Sequence, residues 1–432
     1  MKRFPHSIEN IMPAQRVPIE HLKVGVYIHL DLKWYEHPFF LNSFKIKNAD
    51  QIEALRELGL THVVWIPEKS ERQPAPPSKT QAQSPRPQPK PQKSPLSDAL
   101  WHLKKERIEQ FKQRNLRIQR CEKRYQKTFD QIKATMQNLV TGSEEAAETA
   151  SDLIHGMVDT LLSDQEVVLH LMNIKGKDEG VYYHTLNVGI LSLLLAKEYG
   201  LGAEMMQWLG MGAVFHDIGK YRIPKKILYK KTPLTQPERE LVHLHPKYGE
   251  EIASRIKSFP EEALKVIRQH HESNDGKGYP DGLRGNQISL LAKIISVANA
   301  YDNLCNQGDP AQSMAPHEAL AHMFRNLRHQ FDHGLLSMFI RCMGVYPPGT
   351  IVQLSNEIIG MVVSINMENQ LRPNLLVYDP EVPKKEALIW DLNDDPDLSI
   401  VRSIRPSQLP PEIYAYLNPR VQVSYFFDAE KD

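Results

Sequence analysis

The residues of this sequence best suited to chemistry are five histidines and one aspartate spread over fewer than ninety positions. They are His184, His216, Asp217, His245, His270 and His271. Neutral imidazole and carboxylate suit borderline first-row divalent ions such as Fe, Mn, Ni and Zn. A carboxylate can also bridge two ions with its two oxygens, which an imidazole cannot. The ordered set therefore predicts most of a two-metal site, with Asp217 as the bridge.

Two metal ions about 3.5–4 Å apart can activate water and stabilise the oxygens of an in-line phosphoryl displacement. Lys220 stands three residues after Asp217, where an ammonium could neutralise charge that builds on a phosphate. A glycine-containing segment, Lys277-Gly278-Tyr279-Pro280, follows the last histidine pair and would let backbone approach a ligand. These features together favour phosphoryl chemistry.

A single histidine is weak evidence, because the chain has 18 of them and most histidines lie on the surface or in a satisfied core. We interpret five others in that ordinary way: His243, His317, His322, His329 and His333. The order of the whole set, followed by the glycine-rich segment, carries the metal hypothesis.

Helices must position these ligands. His184 is predicted to begin a helix with an apolar stripe at Leu186, Ile190, Leu193 and Leu194. A second apolar run leads into His216-Asp217, and Gly219 is expected to end that helix. Amphipathic patterns continue to about residue 341, so the chemistry is expected on an all-helical core.

The N-terminal part has a different pattern of apolar residues. Short apolar runs over 24–30, 41–46 and 62–66 predict strands, and 49–58 has helical spacing with Gly59 as the stop. Beyond residue 346 further strands are predicted over 351–354, 358–365, 375–378 and 387–392. A small α/β module and a β-rich extension are therefore expected at the two ends.

Two segments separate the N-terminal module from the histidine region. Residues 72–95 carry eight prolines among Gln, Ser and Lys, which predicts a stiff spacer and, less favoured, a ligand for proline-binding domains. Residues 96–162 are helical in pattern and basic in their first half. A solvated face or connector is the favoured interpretation of that charge, and contact with nucleic acid or anionic lipid the alternative.

Net charge, cysteine content and the lengths of apolar runs further restrict the possible partners and location. The 432 residues carry a formal charge of +1, which gives no whole-protein argument for a nucleic acid polymer or a membrane. The three separated cysteines, Cys121, Cys305 and Cys342, suggest a reducing compartment. No secretory signal is visible, and no run approaches the roughly 20 apolar residues of a membrane span. A cytoplasmic location is expected.

The histidine region resembles the HD-GYP subgroup of the HD phosphohydrolase superfamily. The matching segments are His184, His216-Asp217-Ile218-Gly219-Lys220, His245 with Gly249, His270-His271-Glu272, Asp275-Gly276, Gly278-Tyr279-Pro280, Leu283, Gly285, Ile288 and Val297-Ala298. The resemblance covers roughly residues 150–335. The N-terminal module also resembles, more weakly, one that precedes this domain in some bacterial regulators.

The resemblance implies hydrolysis of cyclic di-GMP or cyclic GMP-AMP to a linear dinucleotide and/or mononucleotides. One metal would take His184, His216, Asp217 and Asn299, and the other Asp217, His245, His270 and His271. Fe or Mn is expected ahead of Ni or Zn. Lys220 and Asp217 would be catalytic, and Lys277, Gly278, Tyr279 and Pro280 would contact the substrate.

The sequence departs from the family pattern at three places. Asn299 stands where the family usually has a ligating Asp, and Asp302, about 4.5 Å further along a helix, is not expected to replace it. Gly180 stands where three-metal members have Glu, with Glu179 out of register, so two metals are expected. An Arg that helps to hold the substrate phosphate is missing after Asp302, and Lys277 or Arg284 are the candidates to compensate.

The expected architecture is multidomain and mainly α. It comprises a small α/β regulatory module (1–70), a proline-rich disordered linker (71–97), a basic helical connector (98–145), an HD-GYP phosphohydrolase domain (146–340) and a β-rich extension (341–432). The N-terminal region is expected to bind a regulatory protein partner, and a homodimer is left open.

Three functions compete at this point. The leading hypothesis is a bacterial signalling phosphodiesterase acting on a cyclic dinucleotide. The main alternative is a catalytically weakened domain that binds the dinucleotide or a protein partner, which Asn299 and the missing Arg favour. A hydrolase of ordinary nucleotides is less favoured, because the Gly-Tyr-Pro segment is intact.

Asn299→Asp tests the ligand assignment. Restoring an anionic ligand should tighten binding of one metal, by roughly tenfold if the effect resembles that of other metal-site partners. Metal content after dialysis against graded chelator would measure it. Unchanged metal content would count against Asn299 as a ligand.

Overall fold

The computed structural model describes residues 15–32, 36–39, 42–76, 95–163, 167–171, 180–230, 232–307, 312–366, 369–380, 382, 384, 387, 389–417 and 424–429. Most of the predicted proline-rich linker lies outside these residues, as does Glu179. The chain divides into two units, residues 1–114 with 379–386 and residues 115–378 with 387–432.

Unit 1 contains a four-stranded antiparallel sheet and one short helix. Its elements are β1 (Gln15–Pro18), β2 (Tyr27–His29), β3 (Ser43–Lys45), α1 (Ala49–Glu57) and β4 (His62–Trp65), with strand order β1-β4-β2-β3. The predicted helix and three of these strands are confirmed. β1 was not predicted.

Capping explains the bounds of α1. The Asn48 side chain accepts a hydrogen bond from the Gln51 N–H, which satisfies a free donor at the helix start. Gly59, at φ +72°, turns the chain away two residues after Glu57. The helix places Ile52, Ala54 and Leu55 on the buried core of the unit.

Two long helices follow. α2 (Pro95–Leu139) begins in unit 1 and ends in unit 2, and α3 (Glu144–Ser163) lies in unit 2. The helical pattern predicted over 96–162 is thus confirmed, with a break at residues 140–143. The side chains of Cys121, Tyr125, Phe129 and Met136 on α2 are buried within unit 2.

The rest of unit 2 is a helical core. Its helices are α4 (Gly180–Tyr199), α5 (Ala203–Phe215), α6 (Lys225–Leu228), α7 (Gln236–Val242), α8 (His245–Ala253), α9 (Glu261–Gln269), α10 (Leu290–Cys305), α11 (Pro316–Asn326), α12 (His333–Met343) and α13 (Pro411–Leu417). The mostly helical core with smaller β-containing regions on either side agrees with the predicted fold class.

The helix that carries His184 lies at the centre of this core. Every residue of α4 from Thr185 to Ala196 is buried, and α4 packs against α5, α10 and α12. The sequence predicted only a stripe of four apolar residues, whereas neighbours cover the helix on all sides. The fully buried segment begins directly after His184, so its packing fixes the backbone from which that side chain projects.

A seven-stranded antiparallel sheet completes unit 2. Its strands are β5 (Val167–Leu171), β6 (Ile351–Leu354), β7 (Ile359–Asn366), β8 (Asn374–Val377), β9 (Ile389–Asp391), β10 (Ile400–Ile404) and β11 (Tyr425–Ala429). The four strands predicted in the extension are confirmed within one or two residues.

The prediction that only helices occupy the region from residue 162 to 341 is wrong at one place. β5 lies inside it and pairs with β7 and with β11. Its short apolar run was assigned to the helical pattern, because the partners that make it a strand are about 195 and 260 residues away. Among the described helices of the chain, none combines the length and the apolar character that a membrane span requires.

Glycines allow close contact between the helices that carry ligands. A Cβ atom at Gly212 on α5 would lie 2.5 Å from the Cβ atom of Val266 on α9, and one at Gly210 would lie 2.5 Å from a methyl of Ile154 on α3. The backbones of α5 and α9 therefore approach closely, just before each helix reaches its ligands, His216 and His270.

Gly212→Ala should destabilise the protein by about 1–3 kcal/mol, since the added methyl has no space between α5 and α9. Gly156→Ala is the matched control. Nothing lies within 4 Å of a Cβ there, and helix propensity predicts stabilisation of about 0.5–1 kcal/mol. Urea unfolding of both variants would measure this, and equal shifts would contradict the packing argument.

Candidate metal centre

Asp217 lies at the middle of the predicted ligand set. It follows the C-terminal end of α5 and is 3% exposed. Its Oδ2 atom lies 3.8 Å from His184 Nε2 and 3.5 Å from His216 Nε2, and its Oδ1 atom lies 3.2 Å from His245 Nε2 and 3.8 Å from His270 Nε2. Each carboxylate oxygen thus faces a different histidine pair.

The ligand atoms form two groups that share Asp217. One group is His184, His216 and Asp217, and the other is Asp217, His245, His270 and His271, with the atoms of each group within 4.8 Å of one another. The structure therefore brings together six of the seven predicted metal ligands.

Three of the histidines are oriented by their own helix ends. His216, His245 and His270 follow α5, α7 and α9, and each places Nδ1 2.7–2.8 Å from the backbone carbonyl three residues earlier. A carbonyl can only accept, so the proton resides on Nδ1. Every Nε2 atom therefore presents a lone pair to the centre.

His184 obtains the same orientation from a side chain. It lies in the first turn of α4, and its Nδ1 donates to Asp302 Oδ2 at 2.6 Å. Hydrogen bonding from a ligating histidine to a carboxylate fixes the ring and makes the other nitrogen more basic. Sequence reasoning considered Asp302 only as a substitute ligand and missed this role.

The arrangement without a cation is electrostatically incomplete. His245 Nε2 and His270 Nε2 lie 3.1 Å apart, and His184 Nε2 and His216 Nε2 lie 3.3 Å apart, although neither pair has a proton to share when the rings are neutral. Asp217 Oδ1 is buried, with no hydrogen-bond donor in the described part of the chain. Facing lone pairs and a buried carboxylate fit divalent cations.

Burial sets the charge states of these groups. Burial lowers the pKa of His216, His270 and His271, so these rings are neutral and able to ligate near pH 7. Burial alone would raise the pKa of Asp217, but the Lys220 ammonium bonded to it holds that pKa well below its usual value. The carboxylate therefore stays ionised.

Lys220 donates to Asp217 Oδ2 at 2.5 Å, and a third of its side chain is exposed. Its ammonium group is therefore in direct contact with the carboxylate at the middle of the ligand set. Asn299 is buried on α10, and its side-chain oxygen accepts a hydrogen bond from the Asn303 amide at 2.8 Å. The oxygen that the sequence assigns to a metal thus already accepts one hydrogen bond and has a second lone pair.

The prediction that Gly219 ends the helix is wrong. α5 ends at Phe215, and Gly219 lies in a 3-10 helix over Ile218–Arg222. A Cβ atom at Gly219 would lie 1.9 Å from the His245 carbonyl oxygen and 2.5 Å from the Gly249 nitrogen. Gly219 is needed because α8 crosses the chain there, which brings His245 next to Asp217.

The Gly-Tyr-Pro segment packs directly on the ligands. The Tyr279 ring stacks between His271 and His243, with centroids 4.6 and 3.9 Å away and interplanar angles of 20° and 4°. A Cβ atom at Gly278 would lie 2.3 Å from the Ser273 nitrogen, so only glycine fits there. Lys277 is exposed at the start of the segment.

Two residues that support this segment were missed. His243 was interpreted as an ordinary histidine, yet it covers one face of Tyr279. Glu272, quoted only as part of the motif, is buried and accepts the backbone N–H groups of Asp281 and Leu283 at 2.7 and 2.9 Å. Nothing in the spacing of one sequence distinguishes these contacts from chance.

The Arg284 side chain, named as a candidate to replace the missing Arg, lies over Gly276. A Cβ atom at Gly276 would be 2.1 Å from Arg284 Nε, and Gly276 has φ +75°. Arg284 is thus held beside the segment that contains Tyr279.

Three domain families match successive parts of the chain. They are a domain of unknown function (DUF3391) at residues 14–150, an HD domain at 162–335 and a KOW domain associated with the HD domain at 351–410. All six clustered ligands fall within the HD match.

The curated relatives of this chain include several phosphodiesterases named for cyclic dinucleotides. Cyclic di-GMP phosphodiesterase PA4108 of Pseudomonas aeruginosa is 28% identical over 84% of this chain and 85% of that protein. The cyclic di-GMP phosphodiesterase response regulator RpfG of Xanthomonas campestris is 31% identical over 39% of this chain and 45% of its own length. The 3'3'-cGAMP-specific phosphodiesterase 3 of Vibrio cholerae is 31% identical over 38% and 35%.

The chain is an HD domain protein. More particularly, it is related to the HD-GYP cyclic di-GMP phosphodiesterases and is homologous to cyclic dinucleotide phosphodiesterases, which confirms the resemblance predicted from the motifs. Its clustered histidines and aspartate are consistent with the metal site of an HD domain.

Gly219→Ala should weaken metal binding, because the added methyl would push the His245 backbone away from Asp217. We expect at least a tenfold loss in affinity for one of the metals, as for other changes that disturb ligand orientation. Mn(II) titration followed by calorimetry would measure it, with Gly156→Ala as the control. Parent-like affinity in Gly219→Ala would contradict the packing argument.

Proposed function

We propose that this protein is a cytoplasmic metal-dependent phosphodiesterase that hydrolyses a cyclic dinucleotide, cyclic di-GMP or cyclic GMP-AMP, to a linear dinucleotide and/or mononucleotides. One observation carries the proposal. Asp217 directs its two oxygens to two separate histidine groups. The histidines whose Nδ1 hydrogen bonds fix the tautomer each present Nε2 to the centre, namely His184, His216, His245 and His270. Related proteins with named activities act on cyclic dinucleotides.

Two divalent ions are proposed, Fe or Mn ahead of Ni or Zn. His184, His216, Asp217 and Asn299 would hold one, and Asp217, His245, His270 and His271 the other. When bound, the ions would supply an activated water and positive charge for the phosphoryl oxygens. Gly180, the first residue of α4, has no side chain to ligate a third ion.

Lys220 is proposed to act on the substrate phosphate. Its ammonium is partly exposed beside Asp217, so a phosphodiester entering the centre would meet a positive charge at that edge. A charged donor in a partly buried site stabilises a phosphoryl group more strongly than in water.

The segment Lys277, Gly278, Tyr279 and Pro280 is proposed to form one wall of the substrate site. Tyr279 is fixed between two imidazole rings, so it provides a rigid surface beside His271. Exposed Lys277 offers a second cation for a dinucleotide that carries two phosphates. The Arg284 side chain lies against Gly276, next to the same segment.

The alternative is an HD-GYP domain with weakened catalysis that acts as a cyclic dinucleotide receptor or a protein-interaction regulator. Asn299 supports it, because a neutral side chain already bonded to Asn303 is a poorer ligand than a carboxylate. The retained histidines, Asp217 and Lys220 favour the enzyme. We also propose that the N-terminal region binds a regulatory protein partner, and a homodimer is left open.

The decisive experiment incubates protein loaded with Mn(II) or Fe(II) with cyclic di-GMP and, separately, cyclic GMP-AMP. We expect linear dinucleotide or mononucleotide products by chromatography. Asp217→Ala should abolish turnover, since it removes a ligand common to both ions. His155→Ala, an exposed histidine of α3, is the matched control and should retain parent activity.

Binding of either dinucleotide without turnover, under conditions in which an intact relative is active, would favour the receptor. Turnover that survives in Asp217→Ala would exclude this centre as the source of the activity. Turnover of an ordinary nucleotide alone would favour the third hypothesis.

A further inference from the structure

A chain of buried hydrogen bonds leads from His184 into the protein interior. Asp302 accepts the His184 Nδ1–H with Oδ2 at 2.6 Å. Its other oxygen, Oδ1, accepts the side-chain amides of Asn187 and Asn306, both at 2.8 Å. Asp302 is 1% exposed, so its position depends on these partners rather than on water.

The chain continues through Asn187 to the C-terminal strand. Asn187 Oδ1 accepts the Ser424 hydroxyl at 2.6 Å and the Tyr425 backbone N–H at 3.1 Å. Because that N–H can only donate and the Asp302 carboxylate can only accept, the orientation of the Asn187 amide is determined. Ser424 Oγ lies 2.6 Å from the Tyr125 hydroxyl on α2, which must then be the donor.

Each link therefore has one direction. Tyr125 donates to Ser424, Ser424 donates to Asn187, Asn187 donates to Asp302, and Asp302 accepts from His184. Tyr125, Asn187, Ser424 and Asp302 are all at most 2% exposed. In a region of low dielectric constant such a chain is strong when complete, and the loss of one member leaves the next without a partner.

Three of the other four histidines do not depend on distant residues in this way. His216, His245 and His270 each bond a carbonyl three residues earlier. The contacts that orient His184 instead join residues separated by 118, 115, 237 and 299 positions. On the His184 side of the centre, His216 is thus locally oriented, whereas His184 is oriented by α2, α10 and the residues at β11.

We propose that Asn187, Ser424 and Tyr125 are positioning residues for His184, so that α2 and the C-terminal strand determine occupancy of the metal on the His184 side. The inference rests on the proposed two-metal centre. It gives α2, which begins in unit 1, and the sheet that contains β11 a physical means to adjust one metal while the other stays bound.

The test compares two serine substitutions in the full-length protein. Ser424→Ala breaks the chain, whereas Ser192→Ala removes an equally buried hydroxyl of α4 that has no hydrogen-bond partner in the described part of the chain. Both variants are loaded with Mn(II), and the metal retained is counted after dialysis against a graded series of chelator concentrations.

We expect Ser424→Ala to lose one of two Mn(II) equivalents at about tenfold lower chelator than the parent, at the lower end of the range for outer partners of ligands. The second equivalent should be retained as in the parent, and Ser192→Ala should match the parent for both. Asn187→Leu, which also removes the donor to Asp302, should show a larger loss of the same equivalent.

Equal retention in Ser424→Ala and Ser192→Ala would overturn the inference, as would a parallel loss of both equivalents together with a lowered melting temperature. A parent that retains a single equivalent, insensitive to Ser424→Ala, would also overturn it. Failure of the proposed function is a separate result: two retained equivalents that respond to Ser424→Ala, without cleavage of either dinucleotide.

Discussion

The sharing of one buried carboxylate between two histidine groups is the constraint on which unit 2 depends. Asp217 can serve both groups only if α4, α5, α7 and α9 end or begin within a few ångströms of one another. That proximity requires backbones without side chains between them, at Gly212 for α5 against α9 and at Gly219 for α8. The apolar interior in turn keeps the histidines neutral and the carboxylate dependent on cations. The close approach of these helices therefore determines both their packing and the charge states of the ligands.

The ligand types and their order could be predicted from the sequence because each sits at a helix end that periodicity reveals. The three histidines that follow α5, α7 and α9 are also oriented by carbonyls of their own segments, so local sequence carries nearly all the information about them. Four strands of the extension, β6 to β9, were predictable for the same reason, since alternation and turn residues are local, whereas β10 and β11 were not predicted. The match to an HD domain agrees with this part of the prediction.

What could not be predicted depends on residues far apart in the chain. β5 is a strand because of β7 and β11, and Gly219 is required by a carbonyl of α8 rather than by the end of α5. His243 and Glu272 support the Gly-Tyr-Pro segment through contacts that spacing does not encode. Asp302 was judged only by its distance from Asn299 along a helix, whereas its function depends on α4. In each case the sequence shows the residue but not the residue that it contacts in the fold.

The two sides of the centre therefore differ in what maintains them. Ligands oriented by their own helix ends remain in place as long as those helices are folded, and they need no other part of the chain. His184 is oriented through a path that reaches α2 and the residues at β11, elements contributed by segments on either side of the HD match. A departure such as Asn299 falls on this same side, on α10, one turn before Asn303 and close in sequence to Asp302. The side on which Asn299 stands in place of a carboxylate is thus also the side on which the orientation of His184 depends on the flanking segments, and so the side at which we propose that those segments alter metal occupancy.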